Sequence, residues 1–193
     1  MKPVTEFFLK AENEIYRAGY AEELHYFDNL HPFEEQRPCG FVYEYIYVIL
    51  NSGISAKSAK KIYDRVIKAM ETDLENWTNE IPNVPWKKNA ICRAVADGRD
   101  WFELVKAAAP EERIKIIRTF PGLGGDALGY HLARNMGIDT VKPDRHLKRL
   151  AKRFDYQNPM EMCLDIQADF TKKLKLGTID YILWRYCTLH GSE

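Results

Sequence analysis

The chain has 193 residues, 46% hydrophobic and 29% charged, the balance of an ordinary globular protein with enough length for a substantial core. Lysine plus arginine equals aspartate plus glutamate at 28 each, so net charge gives no sign of a polyanion partner and any nucleic-acid surface must be local. The cysteines Cys39, Cys92, Cys163 and Cys187 are scattered with no CxxC pair, a pattern that fits reduced thiols better than a disulfide framework or a zinc site.

In chain order, the start (MKPVTEFFLKAENE) lacks an apolar signal core, and no apolar run reaches about 18 residues. The expectation is a cytoplasmic chain with no membrane partner. Phe8, Ala11 and Ile15 recur at helical spacing and predict a helix from Thr5 to Arg17 that stops at Gly19. "HPFEEQRPCG" (His31 to Gly40) has the composition of a crossing between two lobes. "FVYEYIYVIL" (Phe41 to Leu50) has strand propensity, because aromatic and β-branched residues dominate it. A lone strand cannot satisfy its backbone, however, and no hairpin turn or partner strand flanks this one, so a buried helix is the more consistent reading.

Ser55 can cap a helix from Ala56 to Met70, with Ile62, Val66 and Ala69 inward. Trp86 to Asp97 reads as a helix ending before Gly98, and Pro110 as the first residue of a short helix leading to Pro121. Gly125 to Met136 carries Leu128, Leu132 and Met136 on one face. Asn158-Pro159 starts the helix with Met162, Ile166 and Phe170, and Gly177-Thr178 caps the last one. The fold class expected from this pattern is all-α.

Two stretches carry chemistry. In "FPGLGG" (Phe120 to Gly125) the glycines permit positive φ and close backbone approach, and the amides at the start of the next helix suit a phosphate. Such a turn also joins ordinary helix pairs. Downstream, Lys142, Arg145, Lys148, Arg149, Lys152 and Arg153 are opposed by Asp144 alone. Arg145, Lys148, Arg149 and Lys152 share one helical face, a phosphate-backbone surface or a solvated one. Asp144 stands at the N-cap position after Pro143. Most acids there only cap, yet the positive helix end favours an ionised carboxylate, which can stabilise an oxocarbenium-like sugar or activate water.

"FPGLGGDAL…TVKPDRHLKRL", together with "VILNSGISAKSAKKIYDRV" (Val48 to Val66), resembles the signature of the helix-hairpin-helix DNA glycosylase superfamily, of the endonuclease III and alkyl-base type. The shared pattern is a Phe-Pro-Gly-Leu-Gly hairpin, a helix, then an Asp-x-His that opens the next helix, here Asp144 and His146. The resemblance implies one all-α module of two helical lobes, with residues 38–140 holding the hairpin and residues 1–37 plus 141–193 forming the other lobe. A DNA cleft would lie between them. It implies double-stranded DNA with a lesion or mismatch as partner, nucleoid association in a prokaryote, a monomer, a flipped base and Asp144 as the catalytic acid. Gly122, Leu123, Gly124, Gly125, Lys142, Arg145 and Lys148 are the DNA-binding candidates. Asn51, Ser52 and Tyr43 are candidates for the pocket or wedge. The carbonyls of Arg118, Phe120 and Leu123 are candidates for a structural sodium or potassium ion.

Bifunctional relatives carry a nucleophilic lysine just after the hairpin, where this chain has Asp126, so monofunctional excision is expected. Only Cys187 lies near the C-terminus, so no iron–sulfur cluster and no required cofactor are expected. Tyr43, Tyr45, Tyr47, Trp86, Tyr181 and Trp184 read as core before base-stacking groups, and His131 as a partly buried histidine. Lys142 reads as a phosphate contact, with an amine nucleophile as the alternative. A non-catalytic DNA-binding module and a base-modifying relative are the rival functions.

Overall fold

In a computed structural model describing residues 1–171 and 174–191, the chain is all-α, and no strand occurs among the described residues. It divides into two compact units, Met1–Pro32 with Ala133–Glu193, and Phe33–Leu132.

The first unit is organised by its last helix. The helices are α1 (Pro3–Arg17), α2 (Ala21–Asn29), α8 (Arg145–Arg153), α9 (Pro159–Ala168) and α10 (Leu176–His190), and α10 packs against each of the others. Its residues Leu176 to Leu183 are all buried, so the first half of this helix is enclosed on nearly every side rather than amphipathic. Around it close Phe8 and Ile15 of α1, Leu24 of α2, Leu147 and Leu150 of α8, and Met162 and Ile166 of α9. Each of these large side chains contributes about 1.5–3 kcal/mol when fully buried. The last helix begins at Leu176, not at a Gly177-Thr178 cap. Thr178 Oγ1 instead donates to Asp28 Oδ1 at 2.8 Å, a partner 150 residues away that no local pattern reveals. Phe170 lies beyond the end of α9 and packs edge-on to Phe8.

The second unit is built on α3 (Pro38–Asn51) and α5 (Pro85–Ala107), with α4 (Ala56–Thr72) and α6 (Arg113–Ile117) beside them. The aromatic stretch is helical, as part of α3, with Phe41, Tyr45, Ile46, Val48, Ile49 and Leu50 buried. Tertiary burial outweighs its strand propensity. Ser55 caps α4, its Oγ accepting from Ser58 N at 3.2 Å. Of the inward positions expected on α4, Val66 is buried while Ile62 and Ala69 are half-buried.

Gly98 does not end α5; the helix runs through it. A Cβ there would lie 2.6 Å from Val42 Cγ2, so the glycine serves the close approach of α3 to α5. Pro110 opens a turn, and the short helix starts at Arg113. The helix after the hairpin, α7 (Leu128–Asn135), starts three residues later than Gly125, and the boundary between the units falls inside it.

Candidate active site

The segment entering α8 sets the geometry of Asp144. Val141 and Thr140 are buried, and Lys142 N donates to Asp180 Oδ2 on α10 at 2.6 Å. Lys142 O then accepts from Asp144 N at 2.8 Å, a three-residue turn across Pro143. Asp144 follows with extended backbone, φ −80° and ψ 178°, the conformation of an N-cap. Its Oδ1 accepts from His146 N at 2.8 Å and Leu147 N at 3.1 Å, while its backbone carbonyl accepts from Lys148 N at 2.9 Å. Its Oδ2 lies 3.8 Å from Lys142 Nζ, and the two side chains are 13% and 16% exposed. One carboxylate oxygen therefore holds the helix, and the other faces an amine at a partly open position.

Around this pair the field is dense. Burial holds the Lys142 amine below its ordinary value and Arg134 adds to the effect, with Asp144 and Asp180 pulling back. Arg134 Nη1 pairs with Asp180 Oδ2 at 3.2 Å, the two side chains being 7% and 0% exposed. Burial pushes the Asp180 carboxyl above the usual carboxylate range against the pull of Arg134. Burial also lowers His146, favouring its neutral ring at neutral pH.

Behind the carboxylate, α8 presents Arg145, Lys148, Arg149, Lys152 and Arg153 outward, with Leu147, Leu150 and Ala151 inward. The helix ends where Asp155 takes φ +63° and Tyr156 N bonds back to Ala151 O, a Schellman-type stop.

The hairpin belongs to the second unit. Gly122 has φ +78°, and a Cβ there would lie 2.9 Å from Ile49 Cδ1 and 3.2 Å from Trp86. Its close approach is to α3 and α5. Gly122, Gly124 and Gly125 are exposed, and no atom lies within 4 Å of a Cβ on Gly125. Leu123 is fully buried with its amide bonded to Phe120 O at 3.0 Å, so Leu123 anchors the turn and its N–H is already used. Tyr45 donates its hydroxyl to the Pro121 carbonyl, and Trp101 stacks on Phe120 at 4.8 Å. A Cβ on Gly124 would lie 3.4 Å from Arg118 O, and one on Gly129 3.1 Å from Leu123 O. A side chain at either glycine would therefore crowd these two carbonyls, and Phe120 O accepts the Leu123 amide.

Asn51 ends α3 and Ser52 follows it in the turn to α4, both half-buried, and Tyr43 is 40% exposed on α3. Lys87 is the group that sequence reading missed here. It is buried, and its Nζ donates to the carbonyls of Leu50 at 3.1 Å and Ser52 at 2.6 Å, pinning that turn. Asp126 is exposed in the loop before α7. Tyr45 and Tyr181 are buried, Tyr47 and Trp184 are half-buried, and Trp86 is 44% exposed. His131 is buried, edge-on to Tyr47 at 6.5 Å.

Arg134 and Asp180 also escaped the sequence reading. The signal for Asp180 was its place on the Leu176, Leu183, Cys187 stripe, where helical spacing expects an apolar residue. No helix among the described residues is long and apolar enough to cross a membrane. Comparison of the chain with known protein families, with curated proteins and with solved structures finds no match.

Proposed function

We propose that the chain is a monofunctional DNA N-glycosylase that removes a damaged or mismatched base in base-excision repair. The observation that carries this reading is the division of labour at Asp144. Oδ1 caps α8 by accepting two backbone amides, while Oδ2 faces the Lys142 amine 3.8 Å away. The carboxylate oxygen is held in place before any substrate arrives, which is what stabilisation of a developing positive charge requires. The base is drawn out of the duplex because its glycosidic bond is inaccessible in the stack.

As the C1′–N bond breaks, the base leaves with the electron pair and takes up a proton. Asp144 stabilises the cationic sugar and accepts a proton from the water that attacks C1′, leaving an abasic site. Arg145, Lys148 and Lys142 meet phosphates of double-stranded DNA, and Gly122, Gly124 and Gly125 offer backbone amides to another. A monovalent cation held by the Arg118 and Leu123 carbonyls would add positive charge toward a phosphate oxygen. The protein works as a monomer, and water is the nucleophile.

A panel of duplexes carrying single lesions or mismatches tests this reading and names the base. An abasic strand that breaks only in hot alkali supports it. Binding with no released base would identify a DNA-binding module, and a base altered but retained would identify a modifying enzyme.

A further inference from the structure

Asp180 is fully buried, and among the described residues its Oδ1 has no hydrogen-bond partner. A buried ion pair is seldom needed for stability, since apolar residues of similar volume often serve as well or better. What Asp180 does with its other oxygen is specific. Oδ2 takes the Lys142 amide at 2.6 Å and the Arg134 guanidinium at 3.2 Å. The Lys142 carbonyl in turn receives the Asp144 amide at 2.8 Å. Asp144 is thus tied to the first half of α10 by hydrogen bonds to the N–H and the C=O of one residue, Lys142.

We propose that Asp180, locked by Arg134, is a positioning residue that fixes the Lys142–Pro143–Asp144 turn and with it the carboxylate at the mouth of α8. Its consequence for excision rests on the function proposed above; its consequence for Asp144 does not. Arg134 and Lys142 bring two positive charges and Asp144 and Asp180 two negative ones, so the quartet is formally neutral. Cys163 of α9 faces the same group, and burial holds its thiol well above the usual range, so it adds no charge. Arg134 is itself held, by Asn135 Oδ1 at 3.1 and 3.2 Å and over the Phe27 ring at 5.1 Å, which leaves its guanidinium little freedom to follow a displaced carboxylate.

The test is amide hydrogen exchange by NMR on the full chain with Asp180→Leu and Asp180→Asn. Leucine removes the acceptor; asparagine keeps a neutral one, and a charged acceptor makes a hydrogen bond about twice as strong. The expected result is a selective loss of protection at Lys142, His146 and Leu147, about tenfold or more in Asp180→Leu and about threefold to tenfold in Asp180→Asn. The amides of α1 and α9 should lose only the common factor that an unpaired Arg134 costs the whole unit, and the loss at the three amides comes on top of it. On an excised lesion, single-turnover rates should fall in the same order while affinity for the duplex stays within about threefold, and asparagine should recover part of the leucine loss.

Unchanged protection at His146 and Leu147, or a uniform loss across the unit, overturns the proposal. If Asp180→Leu does not fold, Asp180→Asn decides: a selective loss below about threefold overturns it. Should wild type excise nothing, the glycosylase reading fails, and the exchange data still decide the role of Asp180.

Discussion

Asp144→Asn separates the two duties of the acid. Oδ1 accepts two backbone amides at 2.8 and 3.1 Å, and an asparagine carbonyl oxygen can take both, since Asn caps helices about as well as Asp. The charge on Oδ2 is lost, along with its attraction to Lys142 Nζ at 3.8 Å. That separation is beyond a normal hydrogen bond, so its loss should cost no more than about 1 kcal/mol. In a domain of this size that is about 2–4 °C in Tm. Excision should fall by about 10²–10³, the usual effect of removing one preorganised electrostatic group from an active site. Asp144→Ala should lose the same activity and about a further 1 kcal/mol of stability, because the cap goes too. Single-turnover release of an abasic, alkali-labile strand measures the first effect, and thermal unfolding the second. Wild-type turnover in a folded Asp144→Asn protein would refute the catalytic role. A large loss of stability in Asp144→Asn, in place of the loss of excision, would favour a carboxylate that serves the helix.

Lys148→Ala with Lys152→Ala should weaken damaged and undamaged DNA alike and flatten the log–log salt dependence of binding by about 0.9 per phosphate contact removed; an unchanged slope refutes the phosphate face. Wild type should give no borohydride-trapped adduct, because Asp126 stands where a nucleophilic lysine would; an adduct that disappears in Lys142→Ala would make Lys142 the nucleophile. Burial holds the Tyr45 phenol far above its ordinary 10. The unfolded phenol ionises near pH 10 while the folded one stays neutral, so its stabilisation is complete below that pH and is lost above it, by up to about 1.4 kcal/mol per pH unit. Tyr45→Phe should therefore cost about 1 kcal/mol at pH 7, through the lost bond to Pro121, and unfold less steeply above pH 10; identical alkaline curves refute this. Gly98→Ala should destabilise by about 1–3 kcal/mol through its clash with Val42, and Val42→Ala should recover part of that, which urea titration of the pair measures.

The helices were legible where the cue is local. Ser55, Asn158 and Asp144 each cap the helix that their side-chain chemistry predicts, with Asn158 Oδ1 accepting from Glu161 N at 2.9 Å. Gly98 was misread because glycine breaks an isolated helix, whereas here it answers a contact with Val42 that is distant in sequence. Thr178 was misread in the same way, since its hydroxyl goes to Asp28 rather than to its own helix.

The candidate site divides along this line too. Asp144, Lys142 and the basic face of α8 lie within one short stretch, so spacing alone groups them. What fixes their geometry comes from elsewhere in the chain: Asp180 on α10 and Arg134 on α7. The acid inside "TIDYILWRYC" stands on an apolar stripe, but the groups it binds, Lys142 N and Arg134, are distant in sequence and no local pattern names them. Lys87 is similar, a lysine near the start of α5 whose ammonium closes the end of α3. In each case the charged group sits where helical spacing expects an apolar residue and donates or accepts at backbone groups of another element. Charge on a core-facing stripe is thus the mark by which such positioning residues can be sought in a helical chain, and Asp180→Asn is the variant that decides whether the mark means what we infer.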